Sequence, residues 1–482
     1  MTDETTYETT YEATYEATYE ATYERSEVVQ GLALNRAAST GVLLRLMRPE
    51  AKAAWLWLCR RAELPAALVD AFVTHPDWRM RASFAQSEVA AAADRARLVD
   101  DADRRVLLEL AHGPTPYRAA AEPLPDAVYA RLLTDADPEV RRTAAMSPSI
   151  PARVLAVHTG HHDPGVRTGV CRAWNALTPA DRETLLGDPD AAVRAAAARH
   201  ACRTDPAHTD GVLAAMTPVH RREILAGSCL PRATAERLMD LDDPYDRQTL
   251  AGNPSLPPDL VARLAADSEH EVRRAVSARP ELTEEQRAAV DHSVRRSDAL
   301  RPLGWVLALD GDSDALRACA ASAHRWLRRS AAVHPALPAD LVERLAEDED
   351  FVVRLMICER QPAAPAGALL RTVLEWDGRS VHDMVRLPQF PGKGLVRYAD
   401  HEEPRLRRLA VQDPDAAPEV IESLARDEAV WVRRAAASDP RLTRERIEEL
   451  LRDPDTAWPA ASNPRLAEAD MHRLLDAVAV PA

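Results

Sequence analysis

The sequence predicts an all-α protein, a solenoid of short helices stacked as repeats. Three observations lead there. A proline recurs every 24 to 27 residues in nearly the same words: Leu124-Pro125-Asp-Ala-Val128, Ile150-Pro151-Ala-Arg-Val154, Leu256-Pro257-Pro-Asp-Leu260 and Leu337-Pro338-Ala-Asp-Leu341. A fixed period of that size marks a repeat array. A second phrase, Asp-x-x-Val-Arg, keeps the same period, as at Asp137–Arg141 and Asp163–Arg167. Third, 46% of residues are hydrophobic but only 5% aromatic. A core of Ala, Leu and Val suits thin helices placed close together.

In chain order, residues 1–25 come first. Tyr7, Tyr11, Tyr15, Tyr19 and Tyr23 stand four apart, each followed by Glu, and residues 1–24 hold seven acidic and no basic residues. Such a stretch buries too little apolar surface to fold alone, so a disordered acidic tail is expected. A docking or phosphorylation segment is the alternative. Residues 26–62 are apolar, with Val42-Leu43-Leu44 and Trp55-Leu56-Trp57-Leu58, and are read as N-terminal capping helices covering the end of the stack. Residues 63–482 form the array, about fifteen units by the spacing.

Within a unit each piece has a reason. The Asp of Asp137-Pro138, Asp163-Pro164 or Asp188-Pro189 is placed at a helix start, where it accepts from free N–H groups while proline needs no donor. Val and the alanines after it face neighbouring units, where larger side chains would force the stack apart. Asn-Pro or a variant (Ser147-Pro148, Asn253-Pro254, Asp439-Pro440, Asn463-Pro464) ends that helix. Leu-Pro opens a second helix with an apolar stripe. Some connections are expected as single 3₁₀ turns. Residues 201–230 and 284–325 blur the pattern, and 371–400, with Pro388, Pro391 and Gly392-Lys-Gly394, predict a distorted repeat or a loop.

The run Val272-Arg273-Arg274-Ala275-Val276 to Pro280 and the phrase Ala251-Gly-Asn253-Pro254-Ser-Leu256-Pro257 resemble the leucine-rich repeat variant, a family similar to HEAT-type helical repeats. The resemblance spans most of the chain. It implies a right-handed superhelix of alternating α and 3₁₀ helices. A member of that family carries an iron–sulfur cluster on an N-terminal cysteine-rich segment. Here the first hundred residues hold only Cys59, and such a cluster needs four ligands, so no cofactor is expected.

The formal charge of −15 argues against general nucleic-acid affinity. Arginine nevertheless recurs in one slot. Asp137, Arg141, Asp163, Arg167, Arg194, Arg273, Arg354 and Arg433 are assigned to a structural ladder, each Arg pairing with the helix-starting Asp of its own or the next unit. The second arginine of each doublet is left over by that ladder. Arg142, Arg274, Arg329, Arg408 and Arg434 are therefore the candidate surface-binding residues, as guanidinium groups that would track phosphates.

Other constellations are weaker. His161-His162-Asp163 is the densest metal-like cluster, but its Asp occupies the capping slot. Asp310-Gly311-Asp312-Ser313-Asp314 opens like a calcium loop with its glycine misplaced, and is read as a turn. His158, Cys171 and Asp181 have no spacing that supports nucleophilic catalysis. Gly392-Lys393 lacks the rest of a phosphate loop. No metal, no cofactor and no enzymatic activity are expected. The six scattered cysteines are read as free thiols in a reducing compartment, and the chain as cytoplasmic with no membrane span. The expected function is a non-catalytic scaffold binding a protein or peptide along its curved surface. The alternative is a nucleic-acid-binding helical-repeat protein using the spare arginines.

Overall fold

The computed structural model describes residues 26–114, 122–240, 243–298 and 300–481. The Tyr-Glu segment in residues 1–25 lies outside the described residues. Among the described residues the regular elements are all helices, α or 3₁₀. They form two compact units, Met1–Leu185 with Gly392–Ala482, and Leu186–Pro391.

The first helix of a repeat starts as its sequence dictates. Asp77, Asp137, Asp163, Asp243 and Asp350 each sit in extended geometry and accept a backbone N–H two residues on, from Arg79, Glu139, Gly165, Tyr245 and Val352. One expected cap is displaced. Helix Ala191–Ala201 is capped by Asp190, which accepts from Ala192 and Val193, while Asp188 stands two residues earlier and accepts from the N–H of Asp190 at 2.8 Å. Asp188 is buried there, in the slot held elsewhere by Asp135 and Asp348.

These first helices pack on one another in sequence order. Trp78–Ala85 lies on Arg104–His112, that on Pro138–Met146, and that on Pro164–Val170. Val140, Ala144 and Ala145 are fully buried at these junctions, so the small residues let the helices approach. Gly169 takes this further: a Cβ there would stand 2.7 Å from the carbonyl oxygen of Ala145.

The second helix begins directly after Leu-Pro. Pro125, Pro151, Pro257 and Pro338 occupy the cap position with φ between −53° and −66°. The preceding Leu124, Ile150, Leu256 and Leu337 are buried. Irregular stretches lie where the pattern blurs. Pro206–His208 is a single 3₁₀ turn, Gly304–Leu307 and Val381–Met384 are four-residue helices, and Gly394 has φ +76° ahead of the 3₁₀ turn Leu395–Tyr398.

In the first unit, residues 26–62 do more than shield an end. They stack on residues 457–481 as the next repeat would. Trp57 lies 5.8 Å from Trp458, centroid to centroid. A Cβ on Gly31 would stand 2.2 Å from the carbonyl oxygen of Trp458, so only glycine permits this approach. Arg45 donates to Asp476 at 2.6 Å and to the carbonyl of Val480 at 2.5 Å. Ser39 donates to Glu468.

Candidate binding surface

The repeated arginine makes two kinds of bond at once. One guanidinium nitrogen folds back onto the carbonyls six and five residues earlier. Arg141 donates to Asp135 and Ala136, Arg194 to Asp188 and Pro189, Arg273 to Asp267 and Ser268. Arg167, Arg354 and Arg433 do the same. In several copies the rest of the fork reaches a carboxylate one unit on. Arg141 pairs with the capping Asp163 at 2.6 Å. Arg81, Arg247, Arg328 and Arg407 instead meet Asp101, Asp267, Asp348 and Asp427, which stand two residues before the cap position. That is a correction to the expected pairing, and the reason is local. Asp163 is preceded by His161 in that slot, so Arg141 has only the cap to bind. Arg354 reaches Glu375 at 2.7 Å, Arg273 reaches Asp291 at 3.1 Å and Arg433 reaches Asp453 at 3.7 Å. Asp137 is bound by Arg104, outside the ladder slot. The hydrogen bond from Arg407 holds the Asp427 carboxyl below its ordinary range.

The second arginines do not form one class. Arg142 and Arg434 are exposed. Arg408 is half-buried and partnered. Arg274 and Arg329 are buried, which corrects their assignment to the surface. Arg274 donates to Asp298 at 2.9 Å. Arg329, 1% exposed, donates to Asp350 at 2.8 Å and to the carbonyl of Arg295 at 3.1 Å. Their partners come from the next loop or the next helix start, distances along the chain that a doublet pattern does not reveal.

A further row of functional side chains was hidden in the Asn-Pro slot. The residue there reaches back one repeat and donates to two carbonyls. Asn463 donates to Ala437 and Asp439, Asn253 to Leu225 and Ser228, Gln361 to Ala332 and His334. Arginines Arg61, Arg172 and Arg279 do likewise. The slot was visible as Asn253, Ser147, Asp439 and Asn463, but not all four act alike: Ser147 donates to one carbonyl, that of His112, and Asp439 accepts from Arg441 instead. Proline's effect on the helix end explained the slot without the side chain.

The metal-like and catalytic-like clusters resolve into backbone bonding. His161 Nδ1 accepts from the N–H of Asp163 at 3.0 Å. Asp312 caps helix Ser313–Ala321. Cys171 donates its thiol to the carbonyl of Arg167, and Asp181 accepts from Thr178. Among the described residues no group of three or more His, Cys, Asp or Glu is arranged to hold a metal. Burial pushes the Cys59 thiol up to about 12 and Cys319 to about 11, away from nucleophilic use. His324 is driven down to about 3 by burial and by the neighbouring His292 and Arg287. Its Nδ1 accepts from Trp326 N–H and its Nε2 donates to Ser277, so the neutral ring is fully used.

Concave features also lie on the helix surface. In the first unit, about 450 Å³ is lined by Leu56, Arg60, Trp78, Arg79, Gln86 and Glu109 among others. There the guanidinium groups of Arg79 and Arg105 lie 4.8 and 3.8 Å from the Trp78 ring centroid. In the second unit, a groove of about 670 Å³ crosses several successive helices and is walled by Tyr245, Trp305 and Trp326. Tyr245 is 62% exposed.

Comparison with known proteins adds little. No family model and no curated protein matches the chain. Among solved structures, the chain is similar to one described as an engineered protein, at 15% identity over 94% of this chain and 98% of that one, with a TM-score of 0.14. At that TM-score the likeness carries no argument. Among the described residues no helix is long and apolar enough to cross a membrane.

Proposed function

We propose that the chain is a non-catalytic helical-repeat scaffold that binds a protein or peptide on its helix surfaces. The observation that carries this reading is the groove at Tyr245, Trp305 and Trp326. It is open, aromatic and laid across consecutive repeats, which is the form an extended peptide needs. The similarity of its repeats to the leucine-rich repeat variant and HEAT-type arrays points the same way. A cytoplasmic setting fits six free cysteines, five of them buried.

The nucleic-acid alternative is weakened by how the arginines are used. Phosphate tracking needs a continuous row of unpaired guanidinium groups. The ladder arginines are committed to carbonyls and carboxylates, and Arg274 and Arg329 are buried in ion pairs.

The test is selection from a displayed peptide library on the immobilised full chain, alongside retention on duplex DNA at low salt. Enrichment of a peptide motif whose binding is lost in Trp326→Ala supports the reading. Salt-dependent DNA retention with no peptide enrichment overturns it.

A further inference from the structure

The groove in residues 186–391 carries more information than its shape. Among the described residues lining it there is no carboxylate, while Arg222, Arg279 and Arg301 all contribute. Two of these are committed. Arg279 is buried, donates to the carbonyls of Ala251 and Asn253, and pairs with Glu281. Arg222 pairs with Asp243 and Asp246 and lies 5.0 Å from the Tyr245 ring centroid. Arg301 is different. It is exposed and makes no ion pair among the described residues. Its backbone is held at the groove, because its carbonyl accepts from Trp326 Nε1 at 2.8 Å.

The indoles are also committed. Trp305 Nε1 donates to the carbonyl of Ala278 at 3.0 Å, so both tryptophans have used their single donor. They offer the groove ring surface alone. The Thr249 hydroxyl is turned onto the carbonyl of Tyr245. A ligand therefore meets ring faces, the neutral polar groups of Gln248 and Tyr245, and one positive charge with no ion-pair partner among the described residues.

We propose that this groove binds an acidic peptide in which an aromatic or aliphatic side chain stands beside a carboxylate. The side chain lies among Tyr245, Trp305 and Trp326, and the carboxylate bonds to Arg301. A basic peptide would bring like charge to Arg301, and a nucleic-acid strand would find only one uncommitted guanidinium for its row of phosphates. This inference rests on the peptide-scaffold reading above and names the partner's chemistry.

The probe is fluorescein-labelled (Phe-Glu-Ala-Ser)₄, with (Phe-Lys-Ala-Ser)₄ as its counterpart, read by fluorescence polarisation. The protein is the full chain with Glu8, Glu12, Glu16, Glu20 and Glu24 replaced by Gln, because its own Tyr-Glu segment has the same chemistry and would compete. The glutamate peptide is expected to bind and the lysine peptide not. Arg301→Glu, at an exposed position, is expected to weaken the glutamate peptide by at least about tenfold and to admit the lysine peptide. Trp326→Ala removes the ring and weakens both, with circular dichroism confirming that each variant is folded. If the lysine peptide binds the parent equally well, or Arg301→Glu changes neither affinity, the inference is overturned while the scaffold reading stands. If neither peptide binds and the displayed library also enriches nothing, both fall together.

Discussion

Two junctions in this molecule use the same bonds with different connectivity. At residue 253, in the second unit, an Asn side chain donates to the carbonyls of Leu225 and Ser228, one repeat back along the chain. At residue 35, in the first unit, an Asn donates to the carbonyls of Ala461 and Asn463, which are 426 and 428 positions away. The register continues through that seam. Asn463 donates to Asp439, Asn35 to Asn463, and Arg61 to Asn35. A repeat thus recognises its neighbour by slot, whether or not the chain connects them. The cost is entropic. Loop-closure entropy grows with the logarithm of loop length, so a sixteenfold longer loop costs about 2.5 kcal/mol more. The seam carries extra contacts that offset it, namely the fork of Arg45 onto Asp476 and Val480 and the pairing of Trp57 with Trp458.

The ordinary junctions break most sharply at their buried charges. Asp350→Ala removes the partner of Arg329 and the cap of helix Phe351–Arg360 together. Stranding a buried guanidinium costs about 3–5 kcal/mol, read as a lower urea midpoint. An unchanged midpoint would show that the pair is idle.

Acid separates the two kinds of junction. His324 titrates at about 3 when folded and near 6.5 when unfolded, so the unfolded chain binds more protons between those values. The stability contributed by the neutral ring is complete above pH 6.5 and falls away as pH drops towards 3. Protonating Nδ1 also removes the acceptor of Trp326 N–H. The opening free energy of amides around residues 270–332, taken from exchange rates divided by the intrinsic rate at each pH, should fall between pH 6.5 and 4 by up to about 3 kcal/mol. The Asn35 latch, made of an amide and two carbonyls, contains no titrating group and should hold over that range.

At the seam, Gly31→Val drives a side chain into the Trp458 backbone and should cost about 1–3 kcal/mol, with exchange quickening in both 26–34 and 457–481. Asn35→Ala and Asn253→Ala each remove two buried hydrogen bonds and leave one carbonyl, that of Ala461 or of Leu225, without this donor, while Asn463 still accepts from Leu466 N–H and Ser228 from Ser255 Oγ; each should cost a similar amount, about 1–3 kcal/mol. A negligible effect for Asn35→Ala beside a large one for Asn253→Ala would mean that chain connectivity, and not the slot, makes the junction.

The repeat was legible because its signals are local. Asp137-Pro138 and Leu256-Pro257 place helix starts within four residues, and both appear where the sequence puts them. What lay beyond reach was pairing across the period. Asp188 looks like a cap until Asp190 is seen to hold the N–H groups. Arg274 looks spare until Asp298 arrives from a loop 24 residues on. Nothing in a linear pattern links Asn35 to Asn463. The groove was harder to see: Tyr245 and Trp326 share one slot, two residues after their helix caps, but they stand 81 residues apart and meet Trp305, from the irregular stretch between them, only after stacking.

The smallest expected effect tests whether burial separates the two fates of a doublet. Arg142 and Arg434 share with Arg329 the place after the ladder arginine, yet both are exposed. Among the described residues Arg142 donates only to its own helix, to the carbonyl of Pro138 at 3.2 Å, while Arg329 joins one repeat to the next. An exposed arginine of this kind loses to water most of what it gains from a partner. Arg142→Ala and Arg434→Ala should therefore shift stability by no more than about 0.5 kcal/mol, measured by urea unfolding beside Arg329→Ala. Equal losses at Arg142 and Arg329 would mean that the slot alone governs the arginine. A tenfold disparity in unfolding equilibrium would place the control in the acidic partner that only some neighbouring repeats supply.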